Sequence, residues 1–261
     1  MSEPTEFPFL PLEDLIKQSG MSQSGNVASK VYTLLRSLIV EVKLLPGRAL
    51  PEKEVAAILN ISKTPVREAI IRLSEEGLLR VVPQGGTFVS TIDVQRYIEA
   101  CFIRFKLESG AVAEAARRHT FEDLCRLEVC LNQQIAAAAE KDYTQFFLLD
   151  EEFHKSIFAA ARLAGVWSVV NQAKGEMDRM RHLKRVFAVR RTEEVIDEHR
   201  DVLEAIRSAN SESAVAAITR HLGSLESKIT ELSRDPKLWN YIERMNAQSP
   251  TKRSPKRGLP Q

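Results

Sequence analysis

Asp150 and His154 stand four residues apart in the stretch DEEFH, a spacing that puts two side chains on one face of a helix. Phe147, Ile157 and Ala161 continue the same stripe, so a carboxylate and an imidazole point toward its apolar side. Two later stretches repeat the theme. Ile196, His199, Leu203 and Ile206 recur at helical spacing, and so do Ile218, His221, Leu222 and Leu225. A single histidine on an apolar face is most often a hydrogen-bonded core residue. Three of the chain's five histidines in that position, with an aspartate one turn from the first, call for another account. Burying four such polar groups apart is costly, whereas one cation satisfies them all. Asp150, His154, His199 and His221 are therefore candidate ligands of a divalent metal, while His119 and His182 lack this partner pattern. Three imidazoles and one carboxylate suit zinc foremost, with nickel or manganese as alternatives.

A second constellation lies near the N-terminus. Pro51 falls at the first turn of a short amphipathic helix through Leu59, where its missing N–H costs little. Asn60 can leave that helix in a left-handed conformation, and Ser62 or Thr64 can cap the next. Val66, Ala69, Ile70 and Leu73 then form a core-facing stripe, while Lys63, Thr64 and Arg67 fall on another arc at the helix N-terminus. A recognition helix needs that division: apolar residues hold it on the domain, and its first turn offers donors to phosphates and base edges. Gly77 ends the helix. Leu78–Val82, the turn Gln84-Gly85-Gly86 and Thr87–Val89 read as a hairpin.

The dense run Ser62-Lys63-Thr64-Pro65-Val66-Arg67-Glu68-Ala69 resembles the N-terminal winged helix-turn-helix domain of the GntR family of bacterial transcription regulators, and the resemblance covers about residues 27–91. It implies DNA contacts from Lys53, Lys63, Thr64 and Arg67, and from Gln84 and Gly85 at a wing tip that enters the minor groove; Ser62, at the head of the motif, joins this candidate set. Lysine stands at 53 and 63 where arginine is common, which keeps the charge and loses the bidentate fork. Asp150–His154, Glu198-His199 and His221 in turn resemble, in order, the metal motif of the FadR-like subfamily's C-terminal ligand-binding domain, called FCD.

That second resemblance implies sensing of a small organic acid whose carboxylate reaches the metal. The acid needs a cationic partner. Arg104 shares an inward face with Cys101, Glu108 and Ala115 and is the first candidate, the alternative being that it pairs with Glu108 one turn on. Arg181 and Arg185 are further effector-binding candidates, although most arginines at such positions form a solvated face.

The elements that must position these groups are mostly α. Helical periodicity runs near 93–119, 121–140, 142–163, 165–189, 192–209 and 211–233, with breaks such as His119-Thr120, Lys141-Asp142 and Asn210-Ser211. About six antiparallel helices with short loops make an all-α bundle behind the winged domain; residues 237–247 can add a short helix. The expected layout is a disordered head over 1–25, the DNA-binding domain over 26–91, the effector, metal and dimerisation domain over 92–235, and a basic disordered tail over 236–261.

The formal charge of +2 hides a division: +3 over residues 22–92, −3 over 93–235, +5 over the tail and −3 over residues 1–21. So mildly basic a DNA-binding segment must rely on placed contacts and dimerisation rather than bulk charge. No apolar run approaches a membrane span, and no basic stretch followed by an apolar core marks a secretory signal. Three cysteines, Cys101, Cys125 and Cys130, lack metal-type spacing and fit a reducing cytoplasm. The expectation is a cytoplasmic homodimer, not an enzyme, that binds double-stranded operator DNA, mainly as a repressor, under control of a small carboxylate at the metal. Two other classes fit the residues: a constitutive DNA binder with a purely structural metal, and a metal-dependent hydrolase fused to a DNA-binding domain. For the hydrolase, no further inward-facing acid or base stands out as a proton carrier.

Overall fold

The computed structural model describes residues 10–20, 25–186, 192–223 and 236–247. The chain forms two compact units: 1–94 with 175–187 and 235–261, and 95–174 with 188–234.

In the first unit, α1 (Leu12–Ser19), α2 (Val27–Val40), α3 (Glu52–Ile58) and α4 (Lys63–Glu75) precede strands β1 (Leu79–Val82) and β2 (Gly86–Val89). Val31, Leu35, Leu38, Leu50, Val55, Val66 and Leu73 are its wholly buried centre. The predicted stripe of α4 is the one buried: Val66, Ala69, Ile70 and Leu73. Asn60 adopts φ 53°, the left-handed exit expected of it. Ser62 occupies the N-cap position of α4 by its backbone, but its hydroxyl makes no capping bond.

β1 and β2 pair antiparallel, Leu79 opposite Val89 and Val82 opposite Gly86. The turn between them closes through Gly85 N to Val82 O at 2.9 Å, with Gln84 at φ 57°. Residues 47–50 secure the other edge of β2, as Leu50 N donates to Thr87 O and Val89 N to Arg48 O.

Two expectations need correction here. The head is not disordered throughout: Leu12, Leu15 and Ile16 have the i, i+3, i+4 spacing of an amphipathic turn and are buried in the core of this unit. The expected single helix over 165–189 is also two. α8 (Trp167–Ala173) ends where Lys174 N bonds Val170 O, and α9 (Gly175–Val186) begins afresh and belongs to the first unit, so the expected 92–235 domain is interrupted. The short helix expected over 237–247 is present as α12 (Pro236–Ala247), at the start of the tail otherwise expected to be disordered, with Leu238, Ile242 and Met245 buried. Residues 1–9, 21–24, 187–191, 224–235 and 248–261, with the readings made for them, lie outside the described residues.

The second unit contains α5 (Val94–Arg118, all but its first residue), α6 (Phe121–Ala139), α7 (Tyr143–Ala160), α8, α10 (Thr192–Arg207) and α11 (Ser211–Leu222). Local chemistry sets these boundaries. Thr120 and Asp123 form a reciprocal capping box on α6, Asp142 accepts from Gln145 N at the head of α7, and Asn210 accepts from Ser213 N at the head of α11. The packed interior runs through Val112, Ala115, Leu127, Phe153, Ile157, Val202, Ile206 and Ile218. Against that layer the histidines are set.

Candidate metal centre and nucleic-acid interface

α7 carries Asp150 and His154, α10 carries His199 and α11 carries His221, all on buried stripes. One ligand atom from each residue can be chosen so that all four lie within 4.8 Å of one another. His154 Nε2 is 3.1 Å from His221 Nε2, which is 3.3 Å from His199 Nε2. Asp150 Oδ1 lies 3.6 Å from His199 Nε2 and 3.9 Å from His154 Nε2. His154 and His199 are wholly buried, Asp150 is 4% exposed and His221 7%.

The outer faces of the rings explain why the inner nitrogens converge. His199 Nδ1 donates to Gln134 Oε1 at 2.8 Å, because an amide oxygen can only accept. His221 Nδ1 faces Glu198 Oε2 at 3.0 Å. His154 Nδ1 lies 2.6 Å from Glu108 Oε2, an ion-pair contact without the alignment of a straight hydrogen bond. With each Nδ1 turned to an acceptor, each Nε2 presents a lone pair inward. Phe153 stacks on the His199 ring at 4.2 Å between centroids and holds its plane.

The His221 lone pair faces those of His154 at 3.1 Å and His199 at 3.3 Å and is repelled by both, and a single proton can bridge only one of these pairs. Protonating all the rings is disfavoured. Burial and the Arg104 charge push His154 down to about 4, against the pull of Glu108. Burial and the neighbouring His221 push His199 well below the usual imidazole range. A metal with bonds of ~2.0–2.1 Å to nitrogen separates its ligand atoms by roughly 2.9–3.4 Å between right-angle and tetrahedral geometry, the spacing of His221 Nε2 from the other two Nε2 atoms, while Asp150 Oδ1 stands farther out at 3.6 and 3.9 Å. The residues present fit such an ion.

Arg104 is buried, and its Nε lies 2.5 Å from Glu108 Oε1, one turn on along α5. Burial raises the Glu108 carboxyl, but Arg104 and His154 outweigh it and hold the group at about 2. Arg181 sits partly buried on α9 in the first unit, whereas the four candidate ligands lie in the second. Arg185 is on α9 too, its side chain outside the described residues.

Sequence reasoning passed over Gln134 and the outer roles of Glu108 and Glu198. The signal for Gln134 was available: it is a wholly buried polar residue on the α6 stripe of Leu127, Cys130, Leu131 and Ala137. Local spacing pairs Glu108 with Arg104 and sets Glu198 beside His199, and does not reveal the ring that each carboxylate faces.

In the first unit Lys53, Ser62, Lys63, Thr64 and Arg67 are exposed, as are Gln84 and Gly85 at the tip of the hairpin. Arg67 is steadied by Glu52 on α3, with Nη2 3.0 Å from Oε2, and remains 64% exposed. The α4 first turn thus offers donors outward while its opposite face is packed, the requirement for entering a groove.

The profile of "Bacterial regulatory proteins, gntR family" matches residues 27–89, and that of the FCD domain matches residues 99–224. The HTH-type transcriptional repressor RspR of Escherichia coli (strain K12) is 31% identical over 222 residues, covering 85% of this chain and 97% of that one. A transcriptional regulator from an unstable DNA locus of Streptomyces ambofaciens is 33% identical over 227 residues, 84% of this chain and 86% of its own. Among solved structures, E. coli McbR/YncC superposes with a TM-score of 0.67 at 24% identity, over 81% of this chain and 99% of that one, a likeness of fold.

Proposed function

From the premise that this chain belongs to the GntR family of bacterial transcription regulators, with an FCD domain behind its winged helix, we propose that it is a metal-dependent repressor released from its operator by a small carboxylate. The observation that carries the metal reading is the convergence of three buried Nε2 atoms and Asp150, each ring held by an outer acceptor. His154, His199, His221 and Asp150 hold the ion, and Glu108, Gln134 and Glu198 hold the rings. When bound, the metal supplies Lewis acidity toward a carboxylate oxygen. Arg104, beside the cluster, is the cationic group assigned to the acid, and accepting it requires sharing Glu108; Arg181 and Arg185 rank below it.

DNA recognition follows from α4 and the wing. Arg67, Lys63, Thr64 and Ser62 face the major groove, Lys53 the phosphate backbone, and Gln84 and Gly85 the minor groove. A homodimer presents two such surfaces to half-sites about one helical turn apart. A purely structural metal is the second reading, favoured by the burial of all four ligands.

The test combines elemental analysis of the purified protein with operator titrations against hydroxy acids, sugar acids and dicarboxylates. The proposal expects about one divalent ion per chain and at least one acid that weakens operator binding only in metal-loaded protein. An operator complex indifferent to every acid, in protein that melts early once stripped of metal, favours the structural reading instead.

A further inference from the structure

Helix α9 falls in the sequence inside the FCD match, yet it folds with the DNA-binding unit. Its attachments there fall on the recognition apparatus. Asp178 Oδ2 lies 2.5 Å from Arg36 Nη2 on α2, and Arg36 Nε lies 2.9 Å from Oε2 of Glu76. Glu76 is the C-cap residue of α4 and also accepts the Tyr32 hydroxyl. The Tyr32 ring in turn carries the Arg72 guanidinium of α4 at 3.8 Å. Side-chain exposure in the Arg36, Glu76 and Asp178 triad is only 17%, 5% and 8%. Removing one member of so buried a network strands a charge.

The second attachment is Arg179, wholly buried on α9. It donates to Ser90 O at 3.0 Å and to Thr91 O at 3.4 Å, the backbone leaving the wing, and pairs with Glu176 at 3.0 Å. The third is steric. A Cβ on Gly175 would come within 3.1 Å of the Leu78 side chain and 3.3 Å of Glu76 O, so the first residue of α9 abuts the end of α4 closely enough that a larger residue would have to push Leu78 aside by a few tenths of an ångström. One short helix thus grips both the end of the recognition helix and the exit of the wing.

The peptide bond before Gly175 leads to Lys174, which belongs to the other unit. Lys174 is buried, and its Nζ pairs with Glu151, the residue that follows Asp150 on α7. We propose that α9 is the transmission element of the protein: a clamp on the recognition helix and wing exit, tied through Lys174 and Glu151 to the helix that carries two of the metal ligands. The transmission step rests on the regulatory reading above; the clamp does not.

Amide exchange of the full-length, DNA-free protein separates these parts, measured metal-loaded and after chelation, with metal content checked for each variant. Asp178→Asn removes one carboxylate from Arg36, and the expected result is faster exchange over residues 63–79 in both metal states, restored toward the parent by Asp178→Glu. Lys174→Met leaves the clamp in place and cuts the tie, with Glu151 still reached by solvent. Chelation should quicken exchange of residues 63–79 in the parent and change it by less than about twofold in this variant. Parent-like exchange in Asp178→Asn overturns the clamp, and a parent-like response in Lys174→Met overturns the tie. If the parent's operator affinity ignores metal while Asp178→Asn still exchanges faster, the clamp stands and the regulatory reading fails.

Discussion

The first turn of α4 and the four-residue cluster are both collections of polar side chains on helices, and they are built in opposite ways. Arg67 is 64% exposed and steadied by one contact to Glu52, whereas His154 and His199 are wholly buried, each fixed by an acceptor on its outer nitrogen. The groups proposed to face DNA are solvated and would lose water only when a duplex arrives, so their worth would be realised in the complex. The cluster was dehydrated when the chain folded, so its worth or cost is counted in the stability of the protein itself. An exposed surface can therefore change its base preference with little effect on the fold, while the cluster cannot change a ligand without disturbing it.

That contrast can be broken experimentally, and the largest effect is expected at the cluster. His221→Ala should abolish stoichiometric metal binding and lower the melting temperature. Elemental analysis and calorimetry check both, and parent-like metal content would remove His221 from the site. Arg67→Ala should weaken specific operator binding by up to about two orders of magnitude, from loss of ~1–3 kcal/mol per base contact. Its melting temperature and metal content should match the parent's, so an equal fall in stability would erase the distinction drawn here.

Gln134→Leu tests whether orientation alone matters. It leaves all four ligands and removes the acceptor for His199 Nδ1, and metal affinity should fall roughly 10–100-fold. A competition titration with a chromophoric chelator reads this, and unchanged affinity would mean that stacking on Phe153 suffices to set the ring.

The smallest effect near neutrality is on pH dependence. In metal-free protein His154 is held at about 4, below the unfolded imidazole value of 6.5. The unfolded chain therefore binds more protons in between, and stability should fall as pH drops from about 6.5 toward 4. Denaturant melts at a series of pH values check the sign, and rising stability on acidification would contradict the burial of neutral rings.

How much of this could be read in the sequence follows from how local each feature is. The α4 stripe, the left-handed Asn60 and the histidine stripes of α7, α10 and α11 are set by neighbours within a turn or two, and periodicity exposes them. That three stripes meet at one point was argued from the cost of burying polar groups, and the Nε2 separations agree with it. Gln134 was missed because its partner is 65 positions away, although its place on an apolar stripe marked it as unusual. The attachment of α9 depends on Asp178 meeting Arg36 across 142 positions, which no local pattern encodes. α1 was hidden for another reason: its apolar turn is short and follows a proline-containing head, which reads as disorder until the packing of Leu12, Leu15 and Ile16 is seen.

The measurement that bears most directly on the account is operator affinity of one preparation, metal-loaded, stripped by chelator and reloaded, at fixed salt and pH. The account predicts a reversible change of about 5–150-fold between the two states, the size of a ~1–3 kcal/mol coupling, with the secondary structure intact throughout. Identical operator affinities in the two states, with the metal lost and regained as expected, would contradict it.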